Sequence, residues 1–108
     1  MVLASSREGW ANVLLESMAC GTPVVASNVW GTPEVVAAPE AGVLMPERTS
    51  EGIARAVRTL RENYPDHAAT RRYAENFSWD ATTEGQIQLF SRIISAARPL
   101  SSSRRVAA

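Results

Sequence analysis

The sequence predicts an α/β fold: a Rossmann-like half-domain of three parallel strands with flanking helices and a helical C-terminal region. Three observations point there. Short apolar runs alternate with stretches of helical period, in the order strand, helix, strand, short helix, strand and then three helices, as in a parallel sheet with helices packed on it. The central run, Pro23 to Ser27, is near-continuously apolar, as in a strand buried on both faces. The chain has 108 residues, enough for one small domain.

Met1 to Ala4 is a short apolar run that leads into the loop Ser5–Gly9, so it reads as the first strand. Trp10 to Cys20 reads as a helix, with Val13, Leu14 and Met18 at helical spacing and Leu15 and Ala19 widening the face. Gly21 suits the left-handed residue that ends a helix, and Pro23 blocks continuation. Pro23 to Ser27 is the second strand, Asn28 to Thr32 a loop, and Pro33 to Ala37 a short helix with proline in its first turn. Gly42 to Met45 is the third strand. Thr49 or Ser50 caps the next helix, whose apolar stripe is Ile53, Val57 and Leu60 and whose outer face carries Arg55, Arg58 and Arg61. Pro65-Asp66 opens a further helix with Ala69, Tyr73 and Phe77 on one side. Ser78 or Asp80 caps the last, striped by Ile87, Phe90, Ile94 and Ala97. Residues 98–108 lack periodicity and are expected to be a disordered tail.

Composition excludes several classes. Eleven basic residues balance eleven acidic ones, and a net charge of zero gives no electrostatic reason to expect nucleic-acid binding, which runs on a clustered basic surface. The single cysteine, Cys20, cannot form an internal disulfide, lacks a partner base and is expected to be a small buried residue at a helix end. His67 is expected to be solvated. No apolar run approaches the roughly 20 residues that span a bilayer, and no basic-then-apolar leader precedes the first strand. The expectation is therefore a cytoplasmic protein without a transmembrane segment.

The chemistry concentrates around Glu8 and Glu16, eight positions apart with a helix between them. Helical rise would place their backbones about 12 Å apart. That argues against a glycosidase acid/base pair, whose carboxyl groups sit roughly 5–9.5 Å apart. It suits two carboxylates that hold different parts of an elongated ligand. The amides of Gly9, Trp10, Ala11 and Asn12 are expected to be free at the helix start, where anions and phosphate above all are favoured. A carboxylate accepts hydrogen bonds from two adjacent hydroxyls of a sugar. The implied ligand is a phosphate flanked by sugar hydroxyls, a nucleotide-sugar.

The string from Ser6 to Ala26, Ser-Arg-Glu-Gly-Trp-Ala-Asn-Val-Leu-Leu-Glu-Ser-Met-Ala-Cys-Gly-Thr-Pro-Val-Val-Ala, resembles the signature of the group 1 (family four) glycosyltransferases, retaining enzymes of the GT-B fold. Gly31-Thr32-Pro33-Glu34-Val35-Val36, Ala41 to Met45 and Phe77-Ser78-Trp79 match the same family in order, so the resemblance covers roughly residues 1 to 95. It implies that residues 1–97 are the C-terminal half of a GT-B nucleotide-sugar-binding domain. It implies that Glu8, the one residue assigned to catalysis, holds hydroxyls of the donor sugar near the reacting carbon. Gly9, Trp10, Ala11 and Asn12 would meet the sugar and diphosphate, and Glu16 the ribose. No metal and no cofactor beyond the nucleotide-sugar itself are implied.

The sequence departs from the family in two ways. Trp30 stands where family members usually carry a small residue, often a second glycine; it is expected to narrow the pocket or to cover exposed sheet. The acceptor-binding N-terminal domain, the first three strands of the second domain and its diphosphate-gripping Arg and Lys have no counterpart in these 108 residues. The expectation is a fragment of a transferase that moves a sugar with retention, inactive in isolation, whose parent works in the cytoplasm or at the inner face of the membrane. The first strand's open edge and the last helix are expected to make the isolated chain a homo-oligomer. Two other readings stand beside this one: a non-catalytic self-associating fragment or nucleotide-binding module, and a sugar-nucleotide epimerase relative.

Overall fold

A computed structural model describes residues 1–97; the expected disordered tail, 98–108, lies outside the described residues. The described chain falls into two units, Met1–Phe77 and a second beginning at Ser78. The first holds β1 (Val2–Leu3), α1 (Asn12–Ala19), β2 (Val24–Ser27), α2 (Thr32–Val35), β3 (Gly42–Met45), α3 (Ser50–Glu62) and α4 (His67–Glu75); the second holds α5 (Trp79–Ala97). The order of elements is the expected one.

The three strands form one parallel sheet in the order β1-β2-β3, with Val2 opposite Val25, and Val24 to Ser27 opposite Gly42 to Met45. This is the order of strands 4, 5 and 6 of a doubly wound sheet. Every residue of β2 is buried, and alternate side chains feed two cores. Val24 and Ala26 pack with Leu14, Met18, Val35, Val36, Ala41 and Ala74 on one face. Val25 packs with Met45, Ala56 and Leu60 on the other. Helices α1 and α4 thus cover one side of the sheet and α3 covers the other, which is why β2 reads as a continuous apolar run. Ser27, polar and 3% exposed, donates its hydroxyl to the Leu3 carbonyl at 3.4 Å, across from β2 to β1.

Four details differ from the sequence reading. Helix α1 begins at Asn12 rather than Trp10, and its buried stripe is Leu14 and Met18; Val13 is 42% exposed, because an eight-residue helix presents only a narrow face to the sheet. Cys20 is exposed, not buried. The turn after α1 is a Schellman motif, in which Thr22 N–H donates to Ser17 O (3.0 Å) and Gly21 N–H to Met18 O (2.8 Å). Gly21, at φ +79°, is the buried member of that turn, and Cys20 is left outside. Strand β2 starts at Val24, since Pro23 has no N–H to give the ladder. Helix α2 ends at Val35 rather than Ala37, where the Tyr73 hydroxyl donates to Val35 O (2.9 Å) and accepts from Ala37 N–H (3.1 Å). Tyr73 thereby ties α4 to the end of α2, and Thr70, fully buried, ties it to the next turn by donating to Glu40 O at 2.7 Å.

In the second unit no residue of α5 is buried. Trp79 is 78% exposed, and Ile87, Leu89, Phe90, Ile93 and Ile94 are between 49% and 62% exposed. No helix among the described residues is long and apolar enough to cross a membrane.

Candidate donor site at the carboxyl ends of the strands

Because the sheet is parallel, the segments that leave β1, β2 and β3 emerge at one end of it. The first runs from Ala4 to Ala11 and carries Glu8 and Gly9; the second is Asn28–Gly31; the third is Pro46–Thr49. Glu8 is half-buried, while Gly9, Trp10, Asn12 and Glu16 are exposed and Ala11 is 3% exposed. Glu16 lies on the solvent side of α1, between Leu14 and Met18, which anchor that helix to the sheet.

The start of α1 is open. Its N-cap position is Ala11, which offers no side-chain acceptor, and no acidic residue stands in the first turn. The amides of Gly9, Trp10 and Ala11 find no acceptor among the described residues. Asn12 does not share that freedom: its N–H donates to Trp10 O at 3.0 Å. Ala11, at φ −79° and ψ 79°, is the centre of an inverse γ-turn, and that turn folds the Asn12 amide back on the chain. The expected row of four free amides is therefore three. The same turn changes the spacing argument. Only the interval from Asn12 to Glu16 is helical, so helical rise accounts for about 6 Å of the Glu8–Glu16 separation and the rest is set by the turn.

Gly31 joins the first two segments. A Cβ on Gly31 would overlap the Gly9 carbonyl oxygen, so the loop after β2 can lie against the loop after β1 only with glycine there. Trp10 packs its ring on Phe77 with centroids 6.0 Å apart, and Phe77 in turn meets Tyr73 at 5.4 Å. This aromatic chain supports the Gly9–Ala11 turn from α4. Trp30, in the loop after β2, is 71% exposed and holds φ +47°. His67 is exposed, as expected. Among the described residues no three of His, Cys, Asp and Glu cluster as metal ligands would.

The family model described as "Glycosyl transferases group 1" matches residues 1–77, the whole of the first unit. This chain belongs to the group 1 glycosyltransferases. It is 35% identical over 94 residues to a D-inositol 3-phosphate glycosyltransferase of Rhodococcus opacus, a match that covers 83% of this chain and 21% of that protein. To the protein of the same description from Salinispora arenicola it is 37% identical over 111 residues, covering 94% of this chain and 24% of the relative. A solved structure, the sucrose-phosphate synthase of Thermosynechococcus elongatus, superposes with a TM-score of 0.64 at 31% identity, covering 89% of this chain and 25% of that one. The chain thus spans a fifth to a quarter of the length of these relatives.

The sequence singles out Glu8, the Gly9–Asn12 turn and Glu16 as candidates, but not Gly31 as the residue that seats one loop on the other. The signal was present, since Gly31 interrupts an apolar stretch before a proline-started helix. Nor does it single out Tyr73 as a polar tie, because a tyrosine on an apolar stripe looks like packing alone.

Proposed function

We propose that these residues form the donor-binding part of a retaining glycosyltransferase that moves a sugar from a nucleotide-sugar to an acceptor. The observation that carries this reading is the Glu8-to-Glu16 string, matched by the group 1 family and standing where the first strand ends and an uncapped helix begins. In this reading Glu8 holds hydroxyls of the donor sugar near the reacting carbon. The unpaired amides of Gly9, Trp10 and Ala11 meet the diphosphate, Asn12 contributes by its side chain and Glu16 holds the ribose. Negative charge grows on the diphosphate as the sugar departs, and fixed N–H donors at a helix start stabilise it without reorganising. The reading needs no metal for that step.

Relatives named for an inositol phosphate and for sucrose-phosphate share this stretch with the chain, which supports assigning it to the donor rather than the acceptor. The family match does not favour the sugar-nucleotide epimerase reading. The isolated chain is expected to bind weakly and to turn nothing over. The edge of β1, unpaired among the described residues and with Val2 48% exposed, favours self-association of the isolated chain, which sedimentation equilibrium at micromolar concentration would register.

The test is calorimetric titration with uridine and guanosine diphosphates and their hexose conjugates. Glu16→Gln is expected to weaken the preferred nucleotide about tenfold or more, the loss of a charged hydrogen bond. Equal affinity in wild type and Glu16→Gln would contradict the ribose assignment. Sugar transfer by the purified 108-residue chain that disappears in Glu8→Gln would contradict the expectation that the isolated chain is inactive.

A further inference from the structure

The segment Trp30–Thr32 holds two features that weaken a fold. Trp30 sits at φ +47°, where a Cβ crowds the neighbouring carbonyl; among the described residues it is the non-glycine residue found in that region. Its indole is 71% exposed and, unlike the ring of Trp10, meets no other aromatic ring among the described residues. Two positions on, Thr32 is 1% exposed, and its buried hydroxyl finds no hydrogen-bond partner there either. The segment is nevertheless held firmly. Thr32 N–H donates to Val29 O at 3.0 Å, Glu34 N–H donates to Gly31 O at 3.1 Å, and Gly31 stands against the Gly9 carbonyl. A large ring kept in a glycine's conformation and presented largely to solvent gains little from packing within its own unit. Strain of this kind collects where a ligand is met.

Which ligand follows from position. Gly31 touches Gly9, beside Glu8, whereas Glu16 lies more than one helical turn into α1. In the donor reading the Glu8–Gly9 end takes the sugar and the Glu16 end takes the ribose. An indole carries no charge with which to hold a diphosphate. It offers a broad apolar plane to the C–H face of a pyranose, whose hydroxyls a neighbouring carboxylate can then hold.

We propose that Trp30 is a specificity-determining residue whose indole meets the C–H face of the hexose being transferred. This rests on the donor-site reading above. A contact of that kind discriminates between a nucleotide that carries a hexose and one that does not, and it leaves the nucleotide end untouched.

The experiment compares wild type, Trp30→Gly and Trp30→Phe in titrations with two probe pairs: uridine diphosphate with UDP-glucose, and guanosine diphosphate with GDP-mannose. Glycine suits the backbone at this position, so Trp30→Gly is expected to fold with a thermal midpoint equal to or above that of wild type. It is expected to lose about 2- to 10-fold in affinity for the preferred nucleotide-hexose, the size of an aromatic contact, and nothing for the bare diphosphate. Trp30→Phe is expected to keep most of the affinity. Equal loss for both members of a pair, no loss for either, or a lowered midpoint in Trp30→Gly would overturn the assignment of Trp30 while the donor site stood. If wild type binds neither diphosphate, the donor reading itself fails and the role of Trp30 falls with it.

Discussion

Two helices leave the same end of the sheet, and they begin in opposite ways. Helix α3 is started as a stable helix should be: Thr49, extended at φ −129° and ψ 166°, accepts from Gly52 N–H at 3.0 Å, Glu51 stands in the first turn and Arg61 in the last. Helix α1 has Ala11 at the equivalent place, no acidic residue in its first turn and three preceding amides without an acceptor among the described residues. Its stability comes from underneath, where Leu14 and Met18 are both fully buried against the sheet. Helix α3 is thus capped by the chain itself, whereas the amides at the start of α1 have no protein acceptor among the described residues. In the donor reading the diphosphate takes that place.

The largest effect is expected from Leu14→Ala, about 2–5 kcal/mol in denaturant unfolding, because α1 has no cap to fall back on. A loss below 1 kcal/mol would mean that α1 is held in some other way. Next is Tyr73→Phe, which deletes the donor to Val35 O and the acceptor for Ala37 N–H; about 1–3 kcal/mol is expected, and a neutral result would show that water replaces both bonds. Thr49→Ala removes the cap of α3 and is expected to cost about 1 kcal/mol with no change in nucleotide affinity. Ala11→Ser sharpens the contrast from the other side. It supplies α1 with the cap it lacks and is expected to hold or raise stability by up to about 1 kcal/mol while weakening diphosphate binding. Tighter binding in Ala11→Ser would contradict the account.

The parts that the sequence made legible are those that repeat a simple period. The near-continuous run of β2 announced a strand buried on both faces, Gly21 announced the end of α1, and Thr49 or Ser50 announced the cap of α3, which Thr49 makes. The candidate site is a string of residues in the sequence, Glu8 to Glu16, but its geometry was less legible. The inverse γ-turn at Ala11 that withdraws the Asn12 amide depends on backbone angles that no residue in the string demands. Tyr73 was half-legible: its ring follows the stripe of α4, but its hydroxyl meets α2 across 38 positions of sequence, and no local pattern reports such a partner. Trp30 stood out at once as a bulky residue in a place suited to glycine, and the structure adds that the backbone there does take a glycine's conformation.

The most direct test of the contrast between the two helix starts is amide mapping by nitrogen-15 NMR during titration of the 108-residue chain with uridine and guanosine diphosphates. The account expects the largest shifts at Gly9, Trp10 and Ala11, smaller ones along α1 toward Glu16, and none at Thr49–Gly52, where the amide is already taken. Shifts confined to Thr49–Gly52 or to the Arg55–Arg61 face of α3, with Gly9 to Ala11 unmoved, would contradict it.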